Sequence, residues 1–263
     1  MPITTKIVSF INAIPAPIAA PFRRDTWLAN ILRPLVNRVV PAEPTEVIVR
    51  SGHAAGLHLY IRPREEKFYW TGAYEEHTQD LLVRLLQPSM TFWDVGTHIG
   101  FLSMLAARIV GETGHVHSFE PMPENRVRLQ KAIAANGFSN ISVHETALAA
   151  IPGAMTLHPG AHSTTWTLRA EHGDDRSVAV VCDTLDNVTD SYGVPDLIKI
   201  DVEGAEVDVL RGGIELLAMH RPRLLVEFHD DANLQTAKRL LPTYHFEQIE
   251  NTYTPERTIW LLT

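Results

Sequence analysis

Two carboxylates and two glycines in this chain are spaced as a nucleoside site would require. The stretch TFWDVGTHIG, Thr91 to Gly100, is an apolar run that ends in Asp94 and turns through Gly96 toward Gly100. Glycine in such a turn lets the backbone bend tightly and come close to a ligand. The next apolar run, GHVHSFE, ends in Glu120. A carboxylate at that strand end can accept hydrogen bonds from both hydroxyls of a ribose. Dinucleotide sites share that acid, so the glycine pattern has to discriminate. Their fingerprint is G-x-G-x-x-G, which allows close approach to a pyrophosphate. Here Thr97 and His98 follow Gly96, and Asp94 precedes it. An acid at that place repels a pyrophosphate and suits a cation, such as the ammonium of an amino acid. Ribose at Glu120 and a cationic amino-acid tail near Asp94 together describe S-adenosylmethionine.

A second group of chemical residues lies further along. DLIKIDVEG reads as a buried strand with Lys199 inside it and Asp201 at its end. A buried lysine is costly unless paired. Alternation puts Lys199 and Asp201 on one face, and Asp94 and Glu227 end strands expected alongside, so an ion pair at the strand ends is the favoured reading. In VEFHDD, His229 has the pKa of a general base near neutrality. Asp201 and His98 are the other candidates for that role. Asp201, Glu227, His229 and Asp230 could also gather a divalent ion, which would acidify a substrate hydroxyl. No fixed-spacing metal motif supports this, so a metal-independent site is expected.

The elements that position these residues follow from the apolar pattern. From Thr91 onward, TFWDV, GHVHSFE, NISVHE, AMTLHP, SVAVVCD, DLIKID and PRLLVEF read as strands. FLSMLAARIV, PENRVRLQKAIAANG, GAEVDVLRGGIELLA and DANLQTAKRLLP read as helices between them. HFEQIE and RTIWLLT close the chain as an antiparallel pair. Such alternation implies a mostly parallel sheet covered on both faces, with ligands outside the carboxyl ends of its strands. Residues 1–70 read as an N-terminal extension with a helical stretch, DTWLANILRPLVNRVV, and short strands TEVIVR and GLHLYIR, suited to docking or dimerisation. Residues 71–263 form the main domain, opened by the helix YEEHTQDLLVRLL.

The segment WDVGTHIGFLSMLAARIVGETGHVHSFEPMPEN, followed by LIKIDVEGAEVDVLRGG, resembles the FkbM-type S-adenosylmethionine-dependent methyltransferases. KIDVEGAE is its most specific part, and GAYEEHTQDLL fits the family's lead-in. The resemblance implies a Rossmann-like class I methyltransferase fold, α/β, with a mostly parallel seven-stranded sheet, an antiparallel edge pair and helices on both faces. It implies that Asp94, Gly96, Thr97, His98, Gly100 and Phe101 form the loop around the methionine part of the cofactor. Glu120 would hold the ribose, Pro121 and Met122 would flank the adenine, Thr146 and Ala147 would cover it, and Asp201 would lie beside the sulfonium. His162, Ser163, Thr165 and Trp166 lie in a region near the acceptor pocket of the family, and Glu203 is a further acceptor candidate. Family members commonly carry Ala-Asn where this chain has Thr97-His98. The activity implied is methylation of oxygen on a sugar, glycolipid, polyketide or similar natural product, with N-methylation of a peptide amide or amine, or a cofactor-binding scaffold without turnover, as alternatives.

Bulk properties narrow the classes further. A formal net charge of −8 argues against broad capture of nucleic acid. With 45% apolar and 21% charged residues the chain is expected to be globular rather than disordered. Its single cysteine, Cys182, can form no internal disulfide. The apolar segment IVSFINAIPAPIAAPF is interrupted by Pro15, Pro17 and Pro21, which argues against a membrane span. The cytoplasm is therefore the expected location. The same apolar segment is compatible with a homodimer, and the expected partner is a small or glycosylated acceptor.

Overall fold

The computed structural model describes residues 41–159, 166–167, 177–249 and 258–263. The helical stretch read around Trp27 to Val39 and the acceptor candidates His162, Ser163 and Thr165 lie outside these residues. Strands β1 (Thr45–Ile48) and β2 (His58–Ile61) form an antiparallel hairpin. Helices α1 (Lys67–Thr71) and α2 (Glu76–Leu85) follow. Then come β3 (Thr91–Val95), α3 (Phe101–Val110), β4 (His115–Phe119), α4 (Pro123–Asn136) and β5 (Ile141–His144). Strands β6 (Ala147–Leu148), β7 (Gly153–Pro159), β8 (Trp166–Thr167) and β9 (Val178–Asp183) lead to α5 (Leu185–Tyr192). The remainder comprises β10 (Leu197–Ile200), α6 (Glu206–Arg211), α7 (Ile214–Met219), β11 (Arg223–Phe228), α8 (Asp231–Leu240), β12 (Phe246–Ile249) and β13 (Thr258–Leu262).

Seven of these strands form one sheet in the order β12-β13-β11-β10-β3-β4-β5. The five central and right-hand strands run parallel, and β13 pairs antiparallel with β11 and β12. This is the expected mostly parallel sheet with an antiparallel edge pair. Period-two alternation serves both faces. Phe92, Leu197 and Leu225 enter one core with α2 and α3, while Trp93, Ile198 and Leu224 enter the other with α5 through α8. No helix among the described residues is long and apolar enough to cross a membrane.

Three local readings change. GAEVDVLRGGIELLA is not one helix but two, α6 and α7, broken at Gly212 and Gly213. The break follows from close packing: a Cβ on Gly212 would lie 2.1 Å from the Ala149 carbonyl oxygen, and one on Gly213 2.7 Å from Leu185. AMTLHP and SVAVVCD are strands, but they pair with each other as β7 and β9 in a separate four-stranded sheet. Helix α5 has no counterpart in the sequence reading. Its signal was Thr184, whose side chain accepts from the Asn187 N–H as an N-cap.

The lead-in is welded to the main sheet. Val47, Leu59, Ile61 and Tyr69 share one core with Phe92, Phe101 and Leu105. Buried Arg128 on α4 pairs with buried Glu66, and its Nε donates to the Tyr60 carbonyl at 2.8 Å. Beyond the site, β4 and β5 carry a stacked pair: His117 Nδ1 lies 3.0 Å from His144 Nε2, with their rings 12° from parallel. Burial, with His115 and His144 nearby, lowers the His117 pKa from 6.5 to about 4. The unfolded chain therefore binds this proton first, so the stability that depends on it is complete above pH 6.5 and is lost as pH falls toward 4. Unfolding midpoints measured across that window should fall with acidity, and less steeply in His117→Gln.

Candidate active site

The carboxyl ends of β3, β4, β10 and β11 converge on one side of the sheet, as ligand sites of this architecture require. Between them opens a cleft of ≈ 190 Å³. Gly96 forms its floor with φ +84°, and a Cβ there would lie 1.8 Å from the Asp201 carbonyl oxygen. Only glycine lets the β3 turn pass so close to the end of β10. Thr97 closes the same turn by donating from Oγ1 to the Asp94 carbonyl at 2.8 Å.

Glu120 lies on the cleft wall and is 5% exposed. Its carboxylate accepts from the His98 N–H at 2.7 Å, the Met122 N–H at 2.9 Å and Asn125 Nδ2 at 3.3 Å. Burial pushes its pKa up to about 7, against the pull of those hydrogen bonds. Pro121, Met122 and Ala147 line the wall beside it, as do Gly96, His98, Asp201 and Glu203. Asp94, Thr97, Gly100 and Phe101 do not line the cleft; they are buried beneath its loop. Thr146 also lies off the wall. Trp166 belongs to β8 in the small sheet. The sequence reading missed the aromatic wall of Phe68, Tyr69 and Tyr74, for which the run FYW in the lead-in was the available signal.

Asp94 points at a protein cation. It is 1% exposed and accepts from Ser103 Oγ at 2.6 Å, with Lys199 Nζ 4.0 Å from its other oxygen. Lys199 Nζ also donates to Asp201 at 3.1 Å. Burial alone would lower the lysine pKa, but Asp201, Glu75, Asp94 and Glu227 together raise it. The strand-end ion pair is therefore present, and Asp94 stabilises the site from below.

His229 is clasped by carboxylates. Its Nδ1 lies 2.8 Å from Glu206 and its Nε2 3.2 Å from Glu203, with Asp201 and Glu227 each at 3.9 Å. Glu206 is fully buried and also accepts from the Gly204 N–H and from Asn233. Burial would lower the imidazole pKa, but hydrogen bonds to Glu203 and Glu206 and the Asp201 charge raise it to about 11. Carboxylates on both ring nitrogens favour the charged imidazole, and that form donates rather than accepts a proton, which weighs against the base role expected for His229. Asp201, Glu227 and His229 bring ligand atoms within 4.8 Å of one another. Asp230 does not join them, because its side chain caps α8 by accepting from the Asn233 N–H at 2.6 Å. Lys199 and the charged imidazole already supply this cluster with positive charge.

The donor set fits S-adenosylmethionine: a buried carboxylate for ribose, apolar residues for adenine, and the further carboxylates Asp201 and Glu203 on the same wall. The profile of the methyltransferase FkbM domain matches residues 94–252. No curated protein sequence matches the chain. A crystal structure of methyltransferase FkbM from Methylobacillus flagellatus KT superposes with a TM-score of 0.51 at 17% identity, over 72% of this chain and 51% of that one. The chain thus spans about half the length of that protein, and the likeness is one of fold. Aeropyrum pernix fibrillarin with bound S-adenosyl-L-methionine gives a TM-score of 0.47 at 12% identity, over 72% and 74% of the two chains. A SAM-dependent O-methyltransferase from Thermotoga maritima gives 0.46 at 14% identity, over 72% and 65%. With a family profile covering more than half its length and a class I sheet, the chain belongs to the FkbM family of S-adenosylmethionine-dependent methyltransferases.

Proposed function

We propose that this protein is an O-methyltransferase acting on a hydroxyl of a sugar, glycolipid, polyketide or similar small natural product. The observation that carries this reading is the pair of carboxylates, Asp201 and Glu203, on the cleft wall at the strand ends. Bound S-adenosylmethionine would supply an electrophilic methyl group. Glu120 would hold its ribose, and Met122 and Ala147 would pack on its adenine. Asp201 would accept the hydrogen bond of the acceptor hydroxyl, orient its oxygen and take up its proton. Lys199 holds Asp201 in place, and charged His229 keeps Glu203 beside it. Positioning and deprotonation are the main sources of rate for such a displacement.

The same carboxylates would also hold a protonated amine, which makes N-methylation the second reading. The discriminating experiment offers the protein S-adenosylmethionine with a panel of hydroxylated and amine acceptors, identifying products by mass and NMR. Methyl ethers, formed equally well in excess EDTA and reduced by about 10²–10⁴ in Asp201→Asn, are expected. Products methylated only on nitrogen would overturn the O-methyl reading. Cofactor binding with no turnover across the panel would favour a scaffold, and full dependence on added metal would restore the Asp201, Glu227 and His229 trio as a metal site.

A further inference from the structure

Helix α4 opens just past the end of β4, and its first turn carries Arg126. A cation at a helix N-terminus faces the positive end of the dipole, so partners from outside the helix must hold it there. The guanidinium finds them beyond two strands. Nη1 donates to the Glu120 carbonyl at 3.1 Å and to the Pro121 carbonyl, both just past the end of β4. Nη2 donates to the Glu145 carboxylate at 3.1 Å, just past the end of β5. The Arg126 side chain is 17% exposed, although Glu145 is 76% exposed. A planar fork suits acceptors set in two directions, which a lysine ammonium serves less well.

These contacts frame one part of the cleft wall. Glu120, Pro121 and Met122 line it from the β4 side, and Ala147, two residues beyond Glu145, lines it from the β5 side. Arg126 does not line the cleft; it stands behind the wall. It also brings charge. The His98 and Met122 N–H groups and the Asn125 amide, which bond the Glu120 carboxylate, are uncharged, and the Arg126 charge adds to their pull against burial. The neighbouring ionisable groups are otherwise engaged. The His98 ring, from the β3 turn, is neutral because burial lowers its pKa to about 3. Burial also holds His144 of β5 below its usual pKa. Arg62 and Arg128 pair with Glu124 and Glu66. Asp201 and Glu203, on the same cleft, carry the same sign as Glu120.

We propose that Arg126 is a positioning residue for the nucleoside end of the cofactor: it fastens the ends of β4 and β5 together and places a positive charge behind Glu120. The inference rests on Glu120 meeting the ribose. Its probe is 5′-methylthioadenosine, which carries adenine and ribose without the amino-acid end. Calorimetry from pH 6 to 9 would give its affinity in the parent, Arg126→Gln and Arg126→Lys. Loss of the charge in Arg126→Gln should move the pH at which affinity rises upward, by about half a pH unit or more. It should also lower the plateau about two- to tenfold, the effect of one hydrogen bond. Arg126→Lys keeps the charge without the fork, so its plateau should fall similarly while its midpoint stays at the parent value. Arg126→Met replaces Arg126→Gln as the uncharged variant if the latter unfolds, and urea denaturation checks each fold. A midpoint unmoved in the uncharged variant, or moved equally in Arg126→Lys, would overturn the proposal, as would an undiminished plateau in both. A parent affinity that is flat across this range separates Glu120 from the ribose, and one too weak to measure removes the cofactor from the cleft. Either of those results takes the proposal with it.

Discussion

Replacing Lys199 with methionine should remove about 3–5 kcal/mol of folding stability at pH 7.5, the usual cost of breaking a buried ion pair from one side. That is a large share of the roughly 5–15 kcal/mol that holds a domain together. The reason lies in what remains behind. Lys199 is 5% exposed, with Nζ 3.1 Å from Asp201 and 4.0 Å from Asp94, and the charges of Glu75 and Glu227 also act on it. Methionine fills the space but leaves these carboxylates without their shared cation. They would then favour their protonated forms. Burial already raises the Asp94 pKa even with Lys199 present. A carboxyl whose folded pKa exceeds its unfolded value binds its proton more tightly when folded, so stability falls as pH rises through that window. The deficit of Lys199→Met should therefore shrink at pH 5.5 relative to pH 7.5 when both proteins are unfolded in urea. A variant within 1 kcal/mol of the parent at pH 7.5 would show that the carboxylates do not depend on this lysine.

The second large effect is expected at Glu120. Glu120→Ala should weaken S-adenosylmethionine binding by about 1.5–3 kcal/mol, the range for hydrogen bonds to a charged group. Because Glu120 also ties down the His98 and Met122 amides, Glu120→Gln is the companion variant that keeps the side-chain shape. The pH dependence supplies an independent check. With a pKa of about 7, the carboxyl is half protonated near neutrality. Ribose hydroxyls donate best to the ionised form, so cofactor affinity should rise between pH 6 and 8 and level off above it. At pH 6 it should be roughly tenfold below that plateau, one pH unit under the pKa. The free protein behaves in the opposite sense: the Glu120 contribution to folding stability declines as pH rises from 4.5 through about 7, since the folded state holds the proton more tightly. Calorimetric titrations of the parent and Glu120→Gln across this range should differ in slope. Equal affinities at every pH would separate Glu120 from the ribose.

The parts of the site that were legible in the sequence are those that local pattern controls. An apolar run with an acid at its end places Asp94, Glu120, Asp201 and Glu227 at strand termini, and the parallel sheet then brings those termini together. Lys199 inside an apolar strand demanded a counter-charge, and the register Lys199 opposite Asp94 provides one. The helix break at Gly212 was not legible, because its cause is the carbonyl of Ala149 from a distant strand. The role of Asp94 also shifted. As a strand-end acid it could face either a ligand or the protein, and only the packing of Lys199 and Ser103 around it decides for the protein.

His229 shows the same division most clearly. Its residue type places its ordinary pKa near neutrality, and that is all the sequence specifies. Its charge is set by Glu203, Glu206 and Asp201, which tertiary folding carries to within hydrogen-bond or ion-pair reach. By itself, the sequence determined the sheet, the order of its acids and the family, since these follow from periodicity and from residues close in the chain. The tertiary structure alone decided which acids reach the cleft, which are neutralised beneath it, and how Arg126 meets Glu145. Those outcomes depend on burial and on charges brought together from distant segments, and no local pattern encodes either.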